Sequence, residues 1–267
     1  MMTCNYSKRG IKINHVWFAK EIGDIKKGSA AITFAHGLPQ CQSAGFCMIQ
    51  EQYSLMTNLW EEEEELFKKI RKNFRYEIRR IEKEAITIRV FSSKEMEKEN
   101  ALLHSFADTY NQMYADKGIK ATFNLPLINA YIKNNALLFT VAYYDQEPLV
   151  FHSYIIDGHQ CRFFYSTSPF RAEKELANEI GRMNKALHWH DILWFKKNGY
   201  DIYDWGGITN PIEPDGIDNF KLGFGGKLVT YYNIVYGKNI FVNGLLSVYG
   251  KFKKNWRNHN ENSCNRS

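Results

Sequence analysis

The chain has 267 residues, 44% of them apolar and 15% aromatic, with a formal net charge of +6. That is apolar mass enough for one large packed domain, or one domain and part of a second, and it excludes wholesale disorder. Lys251, Lys253, Lys254, Arg257 and Arg266 against Glu261 put +4 of the charge into residues 251–267, so the body is no basic clamp and no DNA partner is expected. Five widely spaced cysteines without a C-x-x-C argue against a disulfide framework or a zinc ribbon and for a reducing compartment. The most apolar stretches, 136–144 and 148–156, have the length of strands, and no basic-then-apolar leader opens the chain. A cytoplasmic protein, at most at the inner face of a membrane, is expected.

In chain order, residues 1–57 read as short strands and loops. A long helix is predicted over 58–84, with Asn58 as N-cap, Glu61 at capping-box spacing, and an apolar stripe through Leu66, Ile70, Phe74, Ile78 and Ile81. A strand follows at 87–90, then helices near 94–117 and 125–134. Strands at 136–144, 147–156 and 161–166 come next, the first two joined by the turn YDQEP. A helix at about 182–198 stops at Asn198-Gly199. A strand at 200–204 is expected to end in a glycine turn at Gly206 and Gly207. After a short helix and a second glycine turn at Gly223, Gly225 and Gly226, a long strand at 227–237 closes the list. This order argues for an α+β domain with a mixed sheet. The division expected is 1–57, 58–244 and a basic amphipathic tail at 245–267, whose Leu245, Tyr249, Phe252 and Trp256 share one helical face suited to anionic lipid or to docking on the body.

The densest chemistry lies in 199–238. Lys221, after Phe220, sits among glycine-rich turns beside a strand end, a place for a cation to stabilise a developing oxyanion; alone it reads as a surface lysine. Asp204 at the strand end can serve as a base or orienter, or simply bind the next amides in an Asx turn. Gly206 and Gly207 match neither a P-loop nor a dinucleotide fingerprint, which excludes nucleotide hydrolysis. In LHWHD, His188 and His190 stand about 200° apart on a helix and do not share a metal ion, so no metal site is expected. His190 falls on an apolar face with Met183, Leu187 and Trp194 and reads as a buried histidine. His188 and Asp191, at i,i+3, form a candidate orienter pair for general-base work. Lys68, Lys72, Arg75, Arg79 and Lys83 make a basic stripe opposite the apolar one, a solvated face or a phosphate comb.

The pattern Y-D-W-G-G-I at 203–208 with G-I-x-x-F-K-x-x-F-G-G at 216–226 resembles the C-terminal signature of the FemAB-like transferases, relatives of the GNAT acyltransferases. The resemblance covers about 58–238. It implies a GNAT-like mixed sheet flanked by helices, here with a truncated N-terminal partner region. It also implies transfer of an acyl or aminoacyl group to an amine, Lys221 at the oxyanion, and Asp204 or His188 near the amine proton. Phe220, Trp205, Gly206 and Gly207 then belong to the substrate site, and Arg75 to acceptor phosphates. The GNAT phosphate-gripping R/Q-x-x-G-x-G/A is absent, leaving Arg182 and Asn184 as substitutes. The implied donor is acyl-CoA or aminoacyl-tRNA, with no tightly bound cofactor. The implied acceptor is an amine-bearing sugar nucleotide, lipid-linked glycan or cell-wall precursor. A peptidoglycan bridge aminoacyltransferase and a silent glycan-precursor or membrane-binding module are the alternatives.

Overall fold

The computed structural model describes residues 1–25, 28–40, 48–81, 83–84 and 86–246; Tyr249, Phe252 and Trp256 of the expected tail helix lie outside them. The chain forms two compact units, Met1–Gln52 with the segment from Thr230, and Tyr53–Val229. These units cut the chain at 52/53 and 229/230, where the sequence suggested 57/58 and 244/245.

In the first unit, β1 (Met2–Lys8) pairs antiparallel with β2 (Ile11–Trp17), and β2 runs parallel to β3 (Ile32–Leu38). The last strand, β10 (Lys227–Gly237), pairs antiparallel with β3. Val16, Ala19, Ile25, Ala35, Leu38 and Ile234 make this unit's apolar cluster.

The second unit is a mixed sheet with helices against it. Its strands are β4 (Met48–Asn58, from Tyr53 on), β5 (Ile86–Ser92), β6 (Leu137–Tyr144), β7 (Glu147–Ile156), β8 (Gln160–Thr167) and β9 (Ile202–Ile208), in the order β4-β9-β8-β7-β6-β5. Among the described pairs of this unit only β8 and β9 run parallel, because the α6 helix (Ala177–Lys197) makes the crossover between them. The β6–β7 hairpin turns on Asp145 and Gln146, both at positive φ, as a two-residue loop that follows strand twist requires.

The helix expected over 58–84 is two helices, α1 (Glu63–Lys69) and α2 (Lys72–Ile81). Asn58 is not its cap: it closes β4 and accepts a hydrogen bond from the Trp60 amide, while Glu62 stands at the N-cap. The break falls at Ile70, which is buried and extended, and the next amide, Arg71 N, bonds to Gly223 O at 2.8 Å. A tertiary partner for that amide replaces the helical one. The helix expected at 94–117 is likewise α3 (Ser93–Met96), opened by a Ser92–Glu95 capping box, and α4 (Asn100–Ala115). The next, α5, covers Leu125–Lys133.

Two further expectations are corrected. β9 does not stop at Asp204 but runs through Gly206 and Gly207 to Ile208. Gly206 at φ +77° puts a bulge opposite Ser54 and Met56, so the glycine supplies an extra residue within a strand and not a turn. And α6 begins at Ala177, a turn and a half earlier than predicted, so Arg182 and Asn184 are not at its start.

The main core packs Leu66, Ile70, Phe74 and Ile78 against Tyr154, Phe195, Tyr203, Trp205 and Phe224. Helix α7 (Gly216–Leu222) sits against α2 through Phe74, whose ring lies 5.6 Å from Phe220 and 5.4 Å from Phe224. A Cβ on Gly223 would overlap the Phe74 ring. Gly223→Ala is therefore expected to destabilise the fold by roughly 1–3 kcal/mol, read as a shift in the denaturant midpoint at unchanged slope. A neutral result would mean that α7 yields freely to α2.

Candidate functional site

Lys221 stands at the end of α7, and local chemistry dictates where that helix goes. Asp215 caps it, its carboxylate accepting from the amides of Ile217 and Asp218 at 2.8 Å each. Asp218, 1% exposed, accepts from the amides of Thr209 and Asn210 at 2.9 and 3.0 Å. The loop after β9 is thus tied to the first turn of α7. One turn later Lys221 Nζ donates to Gly207 O at 2.7 Å. Burial first, then the charge of Arg162, pushes the Lys221 ammonium below the usual lysine range, against the pull of Asp218, Asp204 and Asp215. A half-buried cation next to a strand bulge is the outcome.

Asp204 is 5% exposed and Arg162 8%. Arg162 Nη1 donates to Asp204 Oδ2, Ser54 Oγ donates to Asp204 Oδ1, and the Gly206 amide reaches the same Oδ1 at 2.8 Å. Ser54 Oγ also lies 2.7 Å from Gly206 O. Both carboxylate oxygens are occupied within the fold, so Asp204 holds the bulge in shape. The Gly206 amide, bonded to Asp204, is not a free oxyanion donor. A Cβ at Gly206 would come within 3.0 Å of Phe163 O and 3.8 Å of Lys221 Nζ, so this glycine also leaves room beside the lysine.

The other expected residues divide. Phe220 is partly buried among Phe74, Phe224 and His188. Trp205 is fully buried, its indole N–H on Thr57 Oγ1 at 2.9 Å, and belongs to the core. Gly207 is exposed and supplies the carbonyl under Lys221. Arg182 is buried between Glu179 and Glu84, at 2.6 and 3.2 Å, so two carboxylates occupy the place proposed for a phosphate. Asn184 Oδ1 bonds His152 Nε2 at 2.8 Å. Arg75, half-buried, lies one turn along α2 from the Arg71–Gly223 tie.

The histidines of α6 reverse the expected assignment: His188 is 1% exposed, whereas His190 is partly open. The helix packs on both α2 and the sheet, so its buried arc extends past the apolar stripe to positions 188 and 191. His188 Nδ1 lies 3.0 Å from Tyr203 Oη, and Tyr203 Oη 2.8 Å from Tyr154 Oη. Tyr154 Oη donates to Asp191 Oδ2 at 2.6 Å. His152 Nδ1 and Thr140 Oγ1 reach the same Oδ2 at 2.9 and 3.0 Å. His188 and Asp191 are thus joined through two tyrosines and not directly. His152, His188 and Asp191 offer ligand atoms within 4.8 Å of one another; their Nδ1 and carboxylate atoms already sit in this hydrogen-bond network, so the set reads as a satisfied polar core. Burial pushes the Asp191 carboxyl up, but hydrogen bonds from His152 and His190 outweigh it and hold the group below the usual range.

Sequence reasoning missed Ser54, Arg162, His152, Tyr154 and Tyr203. They come from four strands; Tyr203 opens the Y-D-W-G-G-I run but was given no part, and the other four carry no local signal, whereas Asp215 before Gly-Ile-Asp was readable as an N-cap.

No family model and no curated protein sequence matches the chain. Solved structures do. FemX matches at TM-score 0.55 and 12% identity, over 75% of this chain and 65% of that one. The C-terminal domain of a putative lysylphosphatidylglycerol synthetase from Agrobacterium fabrum matches at 0.52 and 11%, over 80% and 70%. A conserved protein of unknown function from Bacteroides thetaiotaomicron matches at 0.50 and 9%, over 87% and 81%. The chain spans about two thirds of the length of FemX and shares its fold with FemX and with the synthetase domain.

Two outcomes check this geometry. Asp204→Asn removes the carboxylate charge paired with buried Arg162 and is expected to cost about 3–5 kcal/mol of stability; a base with no structural part would lose activity at unchanged stability. The second concerns pH. Burial first, then the charges of His152 and Lys221, pushes His188 well below its ordinary 6.5. Below 6.5 the unfolded chain takes up a proton that the folded chain refuses, so stability is complete above that pH and falls as pH drops. His188→Gln is expected to remove about one proton, or about 1.4 kcal/mol per pH unit, from the acid slope of the unfolding free energy. An unchanged slope would mean that His188 is protonated in the folded state.

Proposed function

We propose that the chain is an acyltransferase that moves an acyl or aminoacyl group from an activated donor to an amine. The acceptor is the amine of a sugar nucleotide, a lipid-linked glycan or a cell-wall precursor. The observation that carries this reading is the half-buried Lys221 ammonium, held on the Gly207 carbonyl at the β9 bulge with the Arg162 charge near it. The FemAB-like fold supports it.

In the reaction the neutral amine attacks the donor carbonyl carbon. A C–N bond forms, and the carbonyl electron pair moves onto oxygen, where Lys221 meets the new charge. A poorly solvated cation does this better than one in water. Collapse restores the carbonyl, breaks the bond to the leaving group and sends that bond's electron pair out with it. The amine nitrogen loses one proton, which leaves with the departing group. Asp204 acts as a positioning residue: through Arg162, Ser54 and Gly206 it keeps the bulge under Lys221. Phe220 packs the lysine's helix onto α2, and Arg75 on that helix takes a phosphate of the acceptor.

On the donor, the 168–176 segment has no glycine pattern to grip a pyrophosphate, and Arg182 is held by Glu84 and Glu179. This favours an aminoacyl-tRNA over acyl-CoA, and with it the peptidoglycan-bridge type of chemistry.

Purified protein offered acetyl-CoA or charged tRNA with amine-bearing cell-wall precursors, with products followed by mass spectrometry, tests the reading. Transfer is expected with charged tRNA, and Lys221→Ala should lower kcat by roughly 10²–10³ with precursor binding retained. Saturable binding without any transfer would mean a silent binding module. Transfer that survives Lys221→Ala would remove the lysine from the mechanism.

A further inference from the structure

The segment after the last strand is helical over 240–246, and its two sides differ. Asn239 caps the first turn: its side-chain oxygen accepts from the Val242 amide at 3.0 Å, and its carbonyl accepts from the Asn243 amide at 3.0 Å. The inner side is fastened to the end of β10. Asn243 Oδ1 accepts from the Gly237 amide, and a Cβ on Gly237 would come within 2.5 Å of the Val242 side chain. The Lys238 amide donates to Ala31 O at 2.9 Å, which ties the strand end to the residues before β3. These contacts set which side of the helix faces the strand.

The outer side is open. Ile240, Phe241 and Leu245 are 73%, 73% and 59% exposed, and a Cβ on Gly244 would have nothing within 4 Å. Three large apolar side chains on two turns are an unfavourable surface to leave in water. Phe241 also extends the stripe read from the sequence. At 3.6 residues per turn, Phe241, Leu245, Tyr249, Phe252 and Trp256 fall within about 80° of arc, the last three lying outside the described residues. The sequence left this stripe a choice between lipid and the body, and its first two members, Phe241 and Leu245, point away from the body.

Charge narrows the partner. Lys251, Lys253, Lys254 and Arg257 belong to the same run, and no Asp or Glu occurs from 239 to 260. An apolar stripe with cations and no carboxylate complements an anionic phospholipid surface, whose acyl chains receive the apolar side chains while its phosphates meet the cations. A second copy of this chain would bring like charges together instead.

We propose that residues 240–257 dock the chain on an anionic phospholipid surface, with Phe241 and Leu245 entering the lipid and Lys251, Lys253, Lys254 and Arg257 on its phosphates. Docking needs neither donor nor acceptor and stands apart from the acyltransferase reading. Where that reading also holds, a lipid-linked acceptor shares the surface and is favoured over a soluble sugar nucleotide.

Full-length protein sedimented with vesicles tests this, one set of phosphatidylcholine alone and one with about a third phosphatidylglycerol. Binding is expected on the anionic set, roughly tenfold weaker on phosphatidylcholine and weaker again in about 0.5 M salt. Joint Phe241→Asp and Leu245→Asp should lower it by roughly tenfold or more at an unchanged denaturant midpoint, since both side chains are exposed in the folded chain. Joint Lys253→Ser and Lys254→Ser should remove most of the preference for phosphatidylglycerol. No binding to the anionic vesicles, or full binding by the Phe241→Asp, Leu245→Asp protein, overturns the proposal. So does a dimer in sedimentation velocity that the same variant turns to monomer, because the face then belongs to a second copy. Transfer to a soluble acceptor by protein that binds no vesicle refutes the docking and leaves the acyltransferase reading standing.

Discussion

The site depends on one buried carboxylate. Asp204 has left water almost entirely, which for an isolated charge costs several kcal/mol. The structure answers that cost with Arg162 on one oxygen and with Ser54 and the Gly206 amide on the other. Because the three partners come from β8, β4 and β9, satisfying this one charge fixes the register of three strands. The extra residue at Gly206 is the consequence, and it puts the Gly207 carbonyl where Lys221 can use it.

A second buried carboxylate does different work. Asp191 has hydroxyls and two histidines as its partners, and no arginine among the described ones. Asp204 is thereby part of an ion pair, whereas Asp191 terminates a chain of hydrogen-bonded hydroxyls that ends at His188. The two carboxylates lie on elements joined directly in sequence, α6 and β9, and Tyr203, one residue before Asp204, belongs to the Asp191 chain. A displacement of β9 would disturb both networks together. The aromatic packing of Phe163, Trp205 and Phe224 around His188 resists such a displacement.

Helix α7 supplies the remaining constraint. Its seven residues are too few to be stable alone, and the helix persists because Asp215 caps it, Asp218 gathers the preceding loop, and Phe220 and Phe224 pack on Phe74. The break between α1 and α2 is part of the same arrangement, since the Arg71 amide that leaves the helix bonds to Gly223. An apolar stripe at helical spacing ran through this break, and nothing in the spacing could show it.

The sequence by itself determined the elements whose signal is local. The β6–β7 turn, the end of α6 at Asn198-Gly199 and the long last strand follow from turn chemistry and alternation. Lys221 was marked by the glycines and phenylalanine around it, and the α+β order with its FemAB-like likeness followed from the same run. Only the tertiary structure decided what Gly206 and Asp204 do. A glycine at positive φ is a turn or a bulge according to whether a neighbouring strand pairs beyond it, and β4 does. Likewise the choice between His188 and His190 turned on how wide an arc of α6 is covered, which helical periodicity does not contain. Arg162, Ser54 and Tyr154 were illegible for the same reason: each is an ordinary strand residue until the sheet brings it to a carboxylate up to 150 positions away.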